Sequence, residues 1–308
     1  MFIIPPHLPC RALKTCADRT NEKVILIKKT YAYRLALLLI ILIFPARADF
    51  SFADTFLAEG EPPILTESSY TSQNISINIT SQRYMDSDIY IADIYIRDLM
   101  SFQRGFANGS WSSGTAELPR IAENCDAILA MTGDYAHYFQ GWLMGNGHLL
   151  RATRNPGRDL CLIYRNGKMR TIRAQEVDHA WMTDETSQLW HIFCFGPTLL
   201  DADGQACTIF NTEVESDNPR SAIGYYEPGH YCFVQVDGRG TKSAVQEGEY
   251  NIGLNMHNLA RLMESLGCRV AYNLDGGQSS MMWFNGQIIS TPYLGGRPIG
   301  DIVLIREP

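Results

Sequence analysis

Four Asn-Gly or Asp-Gly pairs, each lying between apolar runs, constrain the fold of this chain more than any other feature of its sequence. These residues accept the positive φ angles of two-residue β-hairpin turns, so such pairs typically join neighbouring antiparallel strands. The pairs are Asn146-Gly147, Asn166-Gly167, Asp203-Gly204 and Asn285-Gly286. We therefore expect hairpins at these positions, within a sheet that is antiparallel or mixed.

Two kinds of apolar pattern predict the strands themselves. Residues 74–80 and 87–97 alternate apolar with polar side chains, which is typical of half-buried strands. Residues 127–131, 231–236 and 268–274 are nearly continuous apolar runs, which predict strands buried on both faces.

Helices are fewer in the predicted fold. Residues 254–266 carry apolar side chains at helical spacing, and Gly267 follows at the position where a helix commonly ends. Residues 116–126 predict a second, shorter helix. No linker or internal repeat divides residues 71–308. We therefore predict a single α+β domain, 71–308, with a few helices packed on a mixed or antiparallel β-sheet, after a polar lead-in at 49–70.

The first 48 residues have the composition of a targeting segment. Residues 35–44 are ten uninterrupted apolar residues, too few to span a bilayer as a helix. Basic residues precede them and Ala46-Arg47-Ala48 follows, which is the pattern of a secretory signal peptide. Residues 1–48 are thus predicted to be a signal with an unusually long N-terminal extension, cleaved after Ala48. An uncleaved membrane anchor is the alternative.

The net charge limits the kinds of molecule this protein can bind, and the cysteines bear on the compartment in which it works. The whole chain carries −7, but its first 48 residues hold eight basic and two acidic side chains, leaving −13 on the rest. So acidic a body repels phosphate backbones, which argues against nucleic acid as a partner. Export would place six cysteines in an oxidising space, where they form disulfides or remain buried thiols. They are Cys125, Cys161, Cys194, Cys207, Cys232 and Cys268.

Three predicted strands end in an Asp beside a Gly, at Asp134, Asp237 and Asp275. A carboxylate at such a position stands on a rigid element yet faces a cleft, and the Gly lets a ligand approach closely. A single Asp-Gly is usually a plain turn, but three of them near Arg220 and Arg239 favour a site. A guanidinium group binds phosphate or carboxylate through two parallel hydrogen bonds.

Other motifs are weaker. Gly277-Gln278-Ser279 follows a strand as a serine-hydrolase nucleophile does, but the closing Gly is absent and no helix follows. Asp201 begins a stretch that resembles a calcium loop without its later ligands. His137 lies among aromatic residues that either stack on a sugar or pack in the core. No spacing predicts a metal cage, and a divalent metal at the Asp cluster remains open.

Five segments occur together and in a fixed order: TGDY (132–135), FGP (195–197), NPRSAIG (218–224), VDGR (236–239) and NLDGGQSSMMWFNGQIIS (273–290). The set resembles the phosphodiester glycosidase family, over roughly residues 89–305. The NLDGG segment and the helix before it are the most specific part. TGDY is weaker, because the family more often has Asn where Thr132 stands. The resemblance implies an α+β fold and an exported hydrolase of envelope or exopolysaccharide metabolism that cleaves a glycosyl bond to a phosphodiester.

The resemblance also implies roles for the residues. Asp275 is expected to act as nucleophile or base at the anomeric carbon, while Asp237 and Asp134 orient sugar hydroxyls or a water. Arg220 and Arg239 are expected to hold the phosphate. The loop that carries Asp275 would be shaped by Asn273, Gly276, Gly277 and Ser279.

Three other functions stay open at this point. One is an ordinary glycosidase acting on cell-wall or capsule glycan, with no phosphate in its substrate. Another is a non-catalytic glycan-binding envelope protein that uses the same cleft. The last is a serine hydrolase acting through Ser279.

Overall fold

The computed structural model describes residues 52, 55–135, 140–153, 155 and 157–308. The predicted signal peptide, its cleavage site after Ala48, and His137 with the neighbouring Tyr138 and Phe139 lie outside these residues. Among the residues described, no helix is long and apolar enough to cross a membrane.

This part of the chain forms nineteen β-strands and three α-helices. The strands are β1 (Ile64–Leu65), β2 (Ser69–Thr71), β3 (Ile75–Tyr84), β4 (Ser87–Ile96), β5 (Phe102–Phe106), β6 (Leu129–Thr132), β7 (Trp142–Gly145), β8 (His148–Ala152), β9 (Leu160–Tyr164), β10 (Met169–Ile172), β11 (Leu189–Phe193), β12 (Arg220–Glu227), β13 (His230–Val236), β14 (Thr241–Lys242), β15 (Tyr250–Asn251), β16 (Val270–Asn273), β17 (Met282–Phe284), β18 (Gln287–Ile288) and β19 (Asp301–Ile305). The helices are α1 (Leu118–Asn124), α2 (His179–Glu185) and α3 (Met256–Ser265).

The strands assemble into three larger sheets and one two-stranded ribbon, β14-β15, and every pairing between them is antiparallel. The seven-stranded sheet has the order β1-β2-β3-β4-β13-β12-β16. The two five-stranded sheets have the orders β10-β9-β11-β7-β8 and β18-β17-β6-β19-β5. The predicted α+β class is confirmed, with its strands divided among several sheets.

The main hydrophobic core lies between the seven-stranded sheet and the two five-stranded sheets, where Phe102, Tyr231 and Phe233 are fully buried. On the other face of the seven-stranded sheet, α3 buries Leu259 and Met263. Smaller clusters pack α1 and α2 against the five-stranded sheets. The seven-stranded sheet is therefore covered on both sides, which fixes the strand ends that build the site.

One sequence expectation about this sheet is wrong. Residues 87–97 were expected to be half-buried, but β4 is buried along most of its length, on both faces. Tyr90 and Ile94 face the main core, while Ile89 and Ile91 face the cluster that contains α3. At the start of the strand the polar residues Ser87 and Asp88 are themselves fully buried, whereas the Asp93 side chain is 41% exposed.

The turn signals are mostly confirmed. Asn146-Gly147, Asn166-Gly167 and Asn285-Gly286 each join two antiparallel strands. Asp203-Gly204 lies instead in a turn closed by an isolated bridge between Leu200 and Ala206. There the Asp201 carboxylate accepts hydrogen bonds from the backbone N–H groups of Asp203 and Gln205. Asp201 thus stabilises its own turn, as the turn interpretation predicts.

The predicted helix at 254–266 is α3, and both of its ends have a physical cause. Asn255 caps the first turn by accepting a hydrogen bond from the N–H of Asn258 at 2.9 Å. Gly267 follows the last turn with a φ of +77°, the left-handed conformation that glycine adopts without strain.

All six cysteines of the described chain are free thiols. The Sγ atoms of Cys232 and Cys268 lie 3.7 Å apart, well beyond the roughly 2.05 Å of a disulfide bond. Gly224 makes room for them, since a Cβ there would lie 2.5 Å and 2.6 Å from the two sulfur atoms. Disulfide formation after export stays a prediction.

Candidate active site

The loop that follows β16 carries Asp275 to a point where several strand ends meet. The N–H of Asp275 donates to the carbonyl of Gly133, just beyond β6, at 3.0 Å. The N–H of Gly277 donates to the carbonyl of Pro219, just before β12, at 2.9 Å. A Cβ at Gly276 would lie 2.6 Å from that same carbonyl oxygen, so only glycine permits this approach.

Asp275 lines a pocket of about 290 Å³ together with three arginine side chains, Arg220, Arg239 and Arg297. Its side chain is almost buried, at 8% exposure. Oδ1 accepts a hydrogen bond from the N–H of Gly276 at 2.8 Å, and Oδ2 lies 3.5 Å from Nη2 of Arg297. The remaining lining includes Tyr135, Phe195, Val214, Asn218, Gly276, Gly277 and Gln278.

Burial raises the pKa of Asp275 to about 6, because a desolvated carboxylate resists ionisation. The Ser279 hydroxyl and the Arg297 guanidinium act in the opposite direction, since both favour the charged form. The carboxylate is therefore ionised at neutral pH and becomes protonated in mildly acidic solution.

Arg220, the first residue of β12, is held by backbone carbonyl groups alone. Its Nε donates to the carbonyl of Leu254 at 2.8 Å, and Nη2 donates to the carbonyls of Val214 and Ser216. Only 2% of the residue is exposed, and burial lowers the pKa of its guanidinium to about 10, with Arg239 contributing by repulsion. Within the described chain, Arg220 has no carboxylate partner at ion-pair distance and Nη1 donates no hydrogen bond.

Arg239, just beyond β13, is the more exposed of these two arginines. Nε and Nη2 both donate to Oδ1 of Asn218, at 3.1 Å and 2.9 Å, and the guanidinium stacks over the ring of Tyr293. Gly277 faces it with a φ of +61°, and a Cβ at Gly277 would lie 2.9 Å from Nη2 of Arg239. The backbone conformation therefore favours glycine at this position, and a larger residue would also displace the Arg239 guanidinium.

Arg297 was not among the residues predicted from sequence. Its Nε donates to Oγ of Ser279 at 2.6 Å, and its guanidinium stacks over Tyr135 at 5.0 Å while Nη2 faces Asp275. A signal for it does exist in the sequence, where Gly295-Gly296-Arg297-Pro298 combines glycines, an arginine and a proline as the segments around Asp275 and Arg220 do.

Ser279 and Asn273 are both fully buried. The Ser279 hydroxyl accepts from Arg297, and its carbonyl accepts from the Thr132 hydroxyl, which ties the Asp275 loop to β6. Asn273 donates through Nδ2 to the carbonyl of Gly196 at 2.7 Å. Both side chains therefore support the loops that line the pocket, and Ser279 is poorly placed for attack on a substrate.

The main chain beside Asp134 contacts the Asp275 loop, but the Asp134 side chain is not part of the pocket lining. Its carboxylate accepts hydrogen bonds from the N–H groups of Cys194 and Phe195 and lies 3.2 Å from Nη2 of Arg104. Arg104 also pairs with Asp301 at 2.7 Å, and all three side chains are completely buried. This network holds the segment that includes Phe195, a residue of the pocket wall.

Asp237 also lies outside the lining of this pocket. Its Oδ2 accepts from the N–H of Thr291 at 2.8 Å, whereas Oδ1 is buried without a hydrogen-bond partner in the described chain. Burial raises its pKa to about 6. The three predicted carboxylates thus occupy different environments, and only Asp275 faces the pocket. Among the residues described, no cluster of three or more His, Cys, Asp or Glu side chains could hold a metal ion.

The family model for phosphodiester glycosidases matches residues 126–306, more than half of the chain. The chain belongs to the phosphodiester glycosidase family. The matched range includes every site residue predicted from the sequence, and Arg297 as well.

Individual relatives are more distant. The catalytic domain of zebrafish N-acetylglucosamine-1-phosphodiester alpha-N-acetylglucosaminidase, auto-inhibited by its pro-peptide, aligns with a TM-score of 0.61 at 16% identity, over 82% of this chain and 87% of that one. A hypothetical protein from Synechocystis aligns with a TM-score of 0.57 at 13% identity, over 81% and 65%. At these identities the likeness shows the fold alone.

One curated relative matches by sequence. It is the uncharacterized SPbeta prophage-derived protein YomE of Bacillus subtilis (strain 168), which is 27% identical over 155 residues. The match covers 49% of this chain and 22% of that protein, so this family member corresponds to only a small part of YomE.

Proposed function

We propose that the protein hydrolyses the bond between the anomeric carbon of a sugar and a phosphodiester group, as an exported enzyme of envelope or exopolysaccharide metabolism. The observation that carries the proposal is a nearly buried carboxylate, Asp275, that shares one pocket with three guanidinium groups. Such a pocket offers a group to react at a sugar carbon and positive charge to receive the departing phosphate. N-acetylglucosamine is the first sugar to test, because the zebrafish relative is named for it.

Cleavage of this bond requires little general-acid catalysis at the leaving group. A phosphodiester departs as a weakly basic anion, so it leaves without first being protonated, and a second carboxylate acting as general acid is unnecessary. Asp275 is the one carboxylate in the lining that is described. It would act at the anomeric carbon either as nucleophile or as the base that removes a proton from water. In both cases it must be ionised, which its pKa of about 6 allows at neutral pH.

The arginines would bind the phosphate through groups that the protein leaves available. Arg220 is positioned by three backbone carbonyls and Arg239 by Asn218. The Nη1 group of each donates no hydrogen bond within the described chain and would bind the ligand. Fixing these donors in advance avoids reorganisation when negative charge develops on the leaving oxygen. Arg297 would hold Ser279 and orient Asp275.

Asp134 and Asp237 take supporting roles in this proposal. Asp134 would position Phe195 and the backbone beside Asp275, since its carboxylate is fully used within a buried ion network. Asp237 would support the strand end that carries Arg239, because its hydrogen bond goes to the backbone of Thr291.

The test is release of sugar by the purified full-length protein from a panel of sugar 1-phosphodiesters, with and without EDTA. We expect Asp275→Asn to reduce kcat by roughly 10³-fold or more while leaving the folded state intact. Asp203→Asn is the matched control, because it removes a carboxylate from an exposed turn outside the pocket. Full activity in Asp275→Asn would refute the assignment.

Failure to release sugar from any donor would instead favour the ordinary glycosidase or the glycan-binding protein, and a digest of cell-wall and capsule glycans would separate those two. Export has its own test. N-terminal sequencing of the protein recovered outside the cytoplasm should begin at Asp49, and an intact Met1 would contradict the signal peptide.

A further inference from the structure

The charge of the pocket exceeds what a single phosphodiester would neutralise. Its described lining contains Arg220, Arg239 and Arg297 against one carboxylate, Asp275, so with all four groups ionised the lining carries +2. A phosphodiester carries only one negative charge. Asp217 also acts on Arg220, but it is exposed and screened by solvent.

Two of the three cations have no ionic partner of their own. Arg297 lies 3.5 Å from Asp275, whereas neither Arg220 nor Arg239 is within ion-pair distance of a carboxylate in the described chain. Arg239 contributes to the lowered pKa of Arg220, which means that these two guanidiniums repel one another. Placing two like charges side by side destabilises the free protein unless a ligand with matching negative charge occupies the site.

The guanidinium groups of Arg220 and Arg239 also lie at different depths in the pocket. Arg220 is 2% exposed and fixed to the pocket wall by backbone carbonyls. Arg239 is exposed, and it is oriented by Asn218 and by the ring of Tyr293. An anion extending outward from Asp275 would therefore meet Arg220 in the interior and Arg239 nearer the mouth.

We propose that the leaving group is a diphosphate, with the inner phosphate bound by Arg220 and the outer phosphate bound by Arg239. The inference rests on the proposed function and names its substrate class, which is a sugar joined through its anomeric carbon to a substituted diphosphate. A diphosphate diester carries two negative charges, which matches the +2 of the pocket lining. The pocket of about 290 Å³ leaves the substituent on the outer phosphate in solvent.

The reaction balances as a hydrolysis. The oxygen of water forms a bond to the anomeric carbon, and the bond from that carbon to the phosphate oxygen breaks with its electron pair on the oxygen. The diphosphate ester leaves as an anion, and one proton of the water is released to solvent. Arg220 and Arg239 would stabilise the charge that gathers on the two phosphates.

The experiment compares two substrates that differ by one phosphate. Both carry the same sugar and a terminal methyl group, one as the sugar 1-(methyl phosphate) and the other as the sugar 1-(methyl diphosphate). With the purified full-length protein we expect kcat/KM to be about 10- to 100-fold higher for the diphosphate, which is the value of one added charge-assisted hydrogen-bonding contact. Arg239→Gln should bring that ratio toward one, and Arg261→Gln, at an exposed position on α3, should leave it unchanged.

Equal kcat/KM values for the two substrates would overturn the diphosphate inference while supporting the phosphodiester glycosidase. Hydrolysis of neither substrate would refute the proposed function. Calorimetric binding of inorganic pyrophosphate and inorganic phosphate tests the two-phosphate site separately from the reaction. Pyrophosphate should bind at least 10-fold more tightly, through Arg239, and equal affinities would overturn it.

Discussion

Replacing Arg104 with Met tests whether Asp134 serves the stability of the buried ion network and not the chemistry of the pocket. Arg104 donates through Nε and Nη2 to Asp301, at 2.9 Å and 2.7 Å, and approaches Asp134 at 3.2 Å, with all three side chains fully buried. Removing one partner from such a network leaves a buried charge without compensation, which costs about 3–5 kcal/mol. For a chain of this size the melting temperature should fall by roughly 10 °C.

The cost should depend on pH with a definite sign. Burial already raises the pKa of Asp134 to about 6, and Arg104 opposes that shift, so losing Arg104 raises the pKa further. A carboxyl group whose pKa is higher in the folded state than in the unfolded state stabilises the fold while protonated, and this stability is lost as the pH rises through the folded pKa. Arg104→Met should therefore be more destabilising at pH 8 than at pH 5.

Thermal and urea unfolding followed by circular dichroism at both pH values measures this effect. The control is the triple variant Arg104→Met with Asp134→Asn and Asp301→Asn, which removes all three charges and should recover at least half of the lost stability. The reasoning fails if the single variant costs less than about 1 kcal/mol, or if the triple variant is no more stable than the single one.

Three further predictions concern the pocket and its surroundings. The acid limb of kcat/KM should have an apparent pKa near 6, and Arg297→Gln should move it to higher pH, because Arg297 lowers the pKa of Asp275. Gly277→Ala should cost about 1–2 kcal/mol of stability, measured by urea unfolding, because its φ is +61°. It should also weaken phosphate binding, measured by calorimetry, because the new methyl group displaces Arg239. Asp237→Asn should raise the melting temperature more at pH 8 than at pH 5, because burial raises the pKa of that carboxyl to about 6 and the cost of ionising it in the folded state is complete only above that pH.

The local elements of the fold were largely predictable, because each has a cause within a short stretch of sequence. Three Asn-Gly pairs form hairpins, and the helix before the NLDGG segment begins at an asparagine cap and ends before Gly267. The burial of β4 on both faces was not predictable. It results from a second layer, α3, that packs on the sheet from about 170 residues further along the chain.

The candidate site was predicted in part for the same reason. Asp275, Arg220 and Arg239 belong to recognisable segments, and the structure places them in one pocket. Asp134 belongs to a similar segment, but its direction depends on Arg104 and Asp301, which come from distant strands. No local pattern distinguishes an aspartate that faces a cleft from one that turns into an ion network.

Arg220 is held by main-chain carbonyl groups, two of them from Val214 and Ser216, so its position does not depend on which side chains that segment carries. Every residue type supplies the same carbonyl, so side chains at 213–217 can be exchanged without releasing the arginine. Val214 already lines the pocket, and its neighbours in this segment are exposed. Under the proposed function, the segment can therefore acquire new contacts to the group that the phosphate carries without disturbing the arginine that would bind the phosphate. It is then the place to change in order to engineer a different substrate.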